Sequence, residues 1–451
     1  MSRAERRAAG SLAAVYFLRM LGLFLILPVF AVHAQTLEGA TTFLAGIAIG
    51  IYGLTQAALQ IPFGLASDRF GRKPVIFFGL ALFAAGSVVA ALADDIVWVI
   101  LGRALQGSGA IAAAVMALNA DLTREENRTK AMALVGMSIG MAFFVALLAG
   151  PILSIWIGVD GLFWLTALLA LAGMGLIGLV VPTPTRSSVH RDAQTVPAQL
   201  SSVLRNPELL RLDLGIFVLH AILTALFVSV PLSLHDAGVP VELHWQLYLP
   251  VLLLSVAAMV PFVIAAERNR RIKPVFAGAV LAVSVAALGL ASNHSGVWVI
   301  GAWLWVFFTA FNILEATLPS LISKIAPPDA KGSAMGVYSS MQFLGAFTGG
   351  AAGGYLHGHE GAAAVFGFSA GLGLLWFLIA LGMRSPSHLS SRLMNLGDLD
   401  EARARRLCER FTQVPGVAEA VVLAEDGVAY LKVDKRKLDE QALRSVAVSA
   451  H

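Results

Sequence analysis

The apolar residues of the chain fall in long runs separated by short polar gaps. A helix needs about 20 residues, at about 1.5 Å rise each, to cross a hydrocarbon core of about 30 Å. Twelve runs meet that length, near residues 11–32, 42–66, 74–93, 97–120, 130–154, 161–181, 211–234, 244–266, 274–292, 297–323, 333–356 and 361–383. The pattern predicts twelve membrane-spanning helices. The gap at 64–74, Gly-Leu-Ala-Ser-Asp-Arg-Phe-Gly-Arg-Lys-Pro, shows the punctuation most sharply, because Asp68, Arg69, Arg72 and Lys73 cannot stay in hydrocarbon without a large desolvation cost.

Composition agrees: 57% of residues are hydrophobic, 13% are charged and the mean hydropathy is +0.77. A soluble domain carries about a quarter charged residues, so that class is excluded. Lysine and arginine fall only in the even-numbered gaps, at Arg69, Arg72 and Lys73, then at Arg124, Arg128 and Lys130, and so on to Lys324 and Lys331. The odd gaps hold none and carry Glu38, Asp94, Asp95, Asp160, Asp236, Glu242 and Glu360. Positive loops stay cytoplasmic, so both termini are expected in the cytoplasm of a multi-pass protein, and the net charge of +4 calls for no nucleic acid. The first run, preceded by Arg3, Arg6 and Arg7, reads as an uncleaved span and not as a secretory signal. The single cysteine, Cys408, excludes an intrachain disulfide and a thiolate metal cluster.

A proline- and serine-rich connection divides the runs six and six, giving an N-terminal bundle over 1–182, a linker over 183–210 and a C-terminal bundle over 211–384. A shift of 200 residues lays Lys273-Pro274 on Lys73-Pro74, a partial internal echo in which Arg271 stands where the first copy has Gly71. Residues 385–451 form a separate soluble module, with 20 of the chain's 60 charged residues. Its pattern reads strand (389–396), helix (Leu399, Leu407, Phe411, Val414), strand (417–423), turn (Glu425-Asp426-Gly427), strand (428–433) and helix (Leu438, Ala442, Leu443, Val446). That order predicts a small α+β, ferredoxin-like domain.

Few ionisable residues lie inside the runs, and each is a functional candidate because its burial is costly. Gly301, Trp305, Phe308, Asn312 and Glu315 recur at helical spacing on one face, a stripe suited to a cavity for an amphiphilic molecule, with Glu315 as a candidate proton carrier. A Glu315 bonded to Asn312 for structural reasons is the plain alternative. Arg19 sits about 12 Å into the first run, where it can snorkel, pair with a buried acid or attract an anion. Arg103 and His220 are further candidates, and the uncharged Tyr16, Gln56, Gln60, Asn119 and Gln342 are expected to face the bundle interior.

The loop at 64–74 resembles motif A of the major facilitator superfamily, with Gly64, Asp68, Arg69, Gly71, Arg72 and Lys73 in the pattern's positions. Arg103-Ala104-Leu105-Gln106-Gly107 is similar to motif B, while motif C survives only as Gly150-Pro151. Over nearly its whole length the chain looks like the bacterial inner-membrane exporters of that superfamily that carry an appended ferredoxin-like domain. The resemblance implies an all-α membrane fold of two six-helix bundles and proton-driven export by alternating access. It implies that Asp68 meets the start of the eleventh span, that Arg72 pairs with Asp121, that these contacts latch one state, and that Arg103 serves proton movement. Nothing resembles a phosphate-binding loop, a paired-histidine metal site or a nucleophile elbow, so an enzyme is not expected. The expectation is a secondary transporter with no cofactor, driven by the proton gradient, whose partners are a small-molecule substrate, protons and the bilayer. Two alternatives stand beside it: a proton-coupled uptake symporter, and a membrane sensor or scaffold whose tail binds a small ligand or a partner protein.

Overall fold

The structure is a computed structural model that describes residues 1–184, 197–268, 271–327, 330–383, 390–397, 399–424, 427–434 and 436–448. Much of the linker and the Glu425-Asp426 part of the tail hairpin lie outside the described residues. In the N-terminal half the helices are α1 (Arg3–Phe24), α2 (Leu27–His33), α3 (Thr42–Phe70), α4 (Arg72–Ala91), α5 (Ile96–Ser108), α6 (Ala112–Asp121) and α7 (Glu125–Leu179). A short linker helix, α8 (Pro197–Leu204), leads to α9 (Pro207–Asp236), α10 (His244–Arg268), α11 (Ile272–Ser292), α12 (Val297–Ile325), α13 (Lys331–Glu360) and α14 (Ala362–Leu381).

Ten helical segments among the described residues are long and apolar enough to cross a membrane. The twelve expected spans map onto them once two features are resolved. Lys130–Leu179 holds two spans, divided where Gly158 takes a φ of 67° that residues with a Cβ avoid. Span eleven, α13, misses the hydropathy of the others because glycine and serine fill it, and those small residues let it pack closely. Span one joins α1 to α2, and span four joins α5 to α6, each across a break in the helix. The internal echo is structural as well: α11 starts 200 residues after α4, at Ile272 against Arg72. Gly71 starts α4 at a φ of 93°, whereas Arg271 starts α11 at −103°, so the second copy turns without needing glycine.

Large apolar side chains point outward over the helical part, among them Trp98, Trp156, Trp164 and Trp298. A soluble surface would not tolerate them, and lipid does. All four tryptophans lie toward the ends of their spans away from the termini, as an interfacial aromatic belt requires. Inside, separate apolar clusters fill the two halves. The halves meet along a seam of small residues between α3 and α13, where Gly46 and Gly50 lie against Gly350, Gly354 and Phe347, and Ser340 donates to the Ala57 carbonyl.

The tail forms a three-stranded antiparallel sheet in the order β1-β3-β2, from β1 (Ser390–Asn395), β2 (Val417–Leu423) and β3 (Val428–Val433), with α15 (Glu401–Thr412) and α16 (Glu440–Val448). Leu407, Phe411, Ala429, Leu431 and Leu443 make its core. Cys408 is an ordinary residue of α15, its thiol donating to the Ala420 carbonyl at 3.2 Å. The sheet does not hang free: the Lys432 ammonium, buried between Glu419 at 3.1 Å and the Ile325 carbonyl at 3.5 Å, ties β3 to the C-terminal end of α12.

A Cβ at Gly46 would sit 2.1 Å from the Gly350 carbonyl oxygen, which neither backbone can yield without separation of the halves. Gly46→Val is expected to destabilise the protein by about 1–3 kcal/mol, read as a lowered Tm in detergent, and an unchanged Tm would contradict the seam.

Candidate functional site

The first constellation is the turn between α3 and α4. Arg72 is buried and gathers three partners: Asp121 at the end of α6 at 3.2 Å, the Ser67 hydroxyl at 2.8 Å, and Asp68 one helical turn earlier. The guanidinium fork suits this task, since one cation at the start of α4 satisfies groups from the ends of α3 and α6 at once. Lys73 donates to the Val181 carbonyl at 2.6 Å, fastening the same turn to the end of α7, and Arg69 lies over the Phe70 ring. Gly64 faces Ala113 of α6. The expected Arg72–Asp121 pair is therefore present. Asp68, by contrast, turns to Arg72 and not to the start of α13, where Ser333 instead faces Gln199 of α8.

The second constellation lies deep in the N-terminal half. Arg19 is fully buried, so it does not snorkel, and among the described residues no acid pairs with it. It donates to Gln56 at 2.7 Å and to the Gly109 carbonyl at 2.9 Å, which also accepts from the Ile111 N–H at the break between α5 and α6. Tyr16 is buried less than one turn away in α1. Gln56 passes the network on to Gln60. Arg103 is also buried, donating to Gln106 at 2.7 Å and to the Ala48 and Ile49 carbonyls of α3. Arg19 and Arg103 both lie against the Tyr52 ring, at 5.8 and 5.3 Å. Asn119 is buried with both amide atoms unpartnered.

The third constellation lies in the C-terminal half. Glu315 of α12 and His220 of α9 face each other at 3.8 Å. The His220 Nδ1 sits 3.3 Å from the Ile216 carbonyl, which fixes the proton there, and Nε2 accepts from the Gln342 amide at 2.8 Å. Nε2 is thus occupied, and Glu315 Oε1 has no hydrogen-bond partner. Asn312 does not bond Glu315; its amide crosses to Ser255 of α10 at 3.1 Å. Phe308 belongs to a ring cluster with Phe143, Phe227, Phe307 and Phe311, and Phe311 also meets His220. Trp305 is exposed and makes no ring contact among the described residues. Sequence reading missed Phe143, Phe227 and Phe311, whose signal was only one more apolar residue in an apolar run. It also missed Asp213 of α9, a carboxyl inside a span that the same cost-of-burial rule would have flagged.

The Major Facilitator Superfamily model matches residues 12–350 and again 242–392. The chain belongs to the Major Facilitator Superfamily. It is 47% identical over 448 residues to the inner membrane transport protein YajR of Escherichia coli, covering 98% of each chain. It is 28% identical to the multidrug resistance protein MdtH of Aeromonas hydrophila, over 79% of this chain and 89% of that one. The human organic anion transporter MFSD10 shares the fold, with a TM-score of 0.62 at 20% identity over 84% of this chain and 100% of that one. As a superfamily member the protein is a multi-pass membrane transporter.

The Arg72 cluster makes a quantitative demand. Removing Asp121 leaves a buried guanidinium with only Ser67 and the half-exposed Asp68, so Asp121→Ala should lower stability by about 3–5 kcal/mol. Asp68→Asn leaves Asp121 in place and should cost about 1 kcal/mol or less. Equal losses in denaturant unfolding would contradict this division.

Proposed function

We propose that the protein is a proton-coupled exporter, moving a small amphiphilic molecule out across a bacterial inner membrane in exchange for protons, with both termini in the cytoplasm. The observation that carries this reading is the approach of Glu315 to His220 beside the phenylalanine cluster. A neutral carboxyl is tolerated among rings and hydrocarbon, whereas its carboxylate attracts the cationic end of an amphiphile whose apolar body the rings accept. Proton and substrate then compete for one carboxyl, and competition for one group is sufficient for exchange. His220 can take a proton on Nε2 only if the Gln342 amide lets go, which links its charge to the placement of α13. Rocking of the halves about the α3–α13 seam presents the group to either face in turn. The reaction draws its energy from the proton gradient and uses no cofactor; the substrate, protons and lipid bilayer are its partners. The relationship to a multidrug resistance protein favours export over proton-coupled uptake.

In this account Asp68, Arg69, Arg72, Lys73 and Asp121, with Gly64 and Gly71, form a conformational latch at the cytoplasmic face. Asp68 trades its Arg72 contact for the start of α13 when that face closes, where the helix dipole favours an anion. Arg19, Arg103, Tyr16 and Gln56 hold the broken spans of the N-terminal half in shape around the route.

A specific contact favours a second role for the tail. Lys432 at the end of α12 couples the sheet to the helix that carries Glu315, so a ligand or partner protein bound to the tail would bear on that helix. Lys432→Ala is expected to free the tail, read as faster hydrogen exchange in the last turn of α12, with transport retained under altered control. Unchanged exchange would show that the contact holds nothing.

The primary test is proton release from acid-loaded inverted vesicles, followed with a pH-sensitive dye on adding lipophilic cations, organic anions or sugars. One class should discharge the gradient in wild type, and Glu315→Gln should slow that discharge by about 100-fold. Equal discharge in the two would remove Glu315 from the proton route.

A further inference from the structure

Asp213 lies six residues into α9, about 9 Å along the axis from its first residue, Pro207. It is 2% exposed, and neither carboxylate oxygen has a hydrogen-bond partner. Among the described residues no capping, ion pair or bridging contact gives it a structural use, and an unpaired carboxyl in a span is costly to keep.

Its surroundings lead back to Glu315. Asp213 and His220 are seven residues apart on α9, two turns, and share a face. Tyr338 and Gln342 are one turn apart on α13, and Gln342 bonds His220. The Tyr338 hydroxyl is buried and unpartnered, and it lies within electrostatic reach of both Glu315 and Asp213. Height along the helices orders the three groups. The end of α12 at Ile325 and the start of α9 line one cavity, so these helix ends share a level. Glu315 lies about 15 Å from that level and Asp213 about 9 Å, which puts Asp213 nearer the face that bears the termini.

We propose that Asp213 is a second proton-carrying carboxyl of the transport cycle, placed between Glu315 and the face that bears the termini, with Tyr338 passing a proton between the two. The proposal rests on the proton-coupled reading of Glu315. In the step, the Glu315 carboxyl gives its proton to the Tyr338 oxygen while the Tyr338 hydroxyl proton moves to the Asp213 carboxylate. Glu315 ends ionised, Tyr338 unchanged and Asp213 neutral, so one negative charge moves from Asp213 to Glu315 and none is created. Of the titratable groups on the elements packed around it, Tyr338 of α13 is within electrostatic reach of Asp213, His220 lies two turns along α9 on the same face, Glu315 of α12 is reached through Tyr338, and Lys324 and Lys331 stand at the adjoining ends of α12 and α13. Arg211 nearby is held by Glu208 and the Gly382 carbonyl. The neighbouring helices α8 and α14 carry no titratable residue, and α2 and α3 meet α9 farther along, around Val228 and Leu232.

The test is a pH titration of the full-length protein in lipid, following the infrared carboxyl bands. Wild type should show two bands that come and go with pH, one missing in Glu315→Gln and the other missing in the near-isosteric Asp213→Asn. Tyr338→Phe should shift the midpoint of the Asp213 band by about one pH unit. A wild-type spectrum and titration in Asp213→Asn would overturn the proposal. If that variant does not insert, Asp213→Glu and Tyr338→Phe decide it: midpoints unmoved in both overturn the proposal, and moved midpoints support it. Failure of the underlying reading looks different, because then the band lost in Glu315→Gln would not respond to pH in wild type.

Discussion

Hydrocarbon offers no partner to a charge or to an open backbone carbonyl, and the arrangement of this protein follows from how each such group is, or is not, satisfied. In the N-terminal half part of that need is met internally, while Arg19 keeps two guanidinium nitrogens and Asn119 both amide atoms without a partner among the described residues. At the break between α5 and α6 the Gly109 carbonyl accepts from the Ile111 N–H and from Arg19, and Arg103 meets two carbonyls of α3. Tyr52 packs between the two cations. In the C-terminal half the solution is left open. Glu315 keeps an oxygen free, and the His220 nitrogen it faces is already engaged by Gln342. A carboxyl that the fold leaves unsettled is one that a proton or a cationic substrate can settle.

The latch and the seam belong to the same logic. α3 and α13 meet through glycines, with backbone against backbone, flanked by the ring pairs Phe43–Tyr355 and Tyr52–Phe343. The charges that mark the resting arrangement are placed beyond the seam, at helix ends where Arg72 can gather Asp68, Asp121 and Ser67. There Asp68 is partly exposed, so water lowers the cost of its exchanging one partner for another, while Arg72 and Asp121 stay buried.

The order of helices and the tail's strands were legible because burial imposes length and period on a sequence. Strand 417–423 and strand 428–433 fall where alternation and the turn residues place them. The breaks in spans one and four were not legible, because Gly109 and Leu25 sit in apolar runs that continue through them. The Arg72–Asp121 pair could be expected from motif resemblance, but the inward turn of Asp68 could not, since a flexible carboxylate chooses among partners by conformational state. On the α12 stripe Phe308 joins the ring cluster while Trp305 is exposed, because a straight-helix projection cannot say how wide the buried face is. Asn312 and Glu315 share that face yet reach different neighbours, Ser255 and His220, and only the packing of α9 and α10 separates them.

The central claim is that the proton on Glu315 sets which face of the membrane the two halves open to. The most direct measurement is the distance between spin labels at Lys130→Cys in the N-terminal half and Arg205→Cys in the C-terminal half, with Cys408→Ser as background, recorded in lipid at acid and alkaline pH. The account predicts a distance distribution that shifts with pH in the otherwise native protein and is held in one population by Glu315→Gln. A distribution that ignores pH in both, or that shifts equally in both, would contradict it.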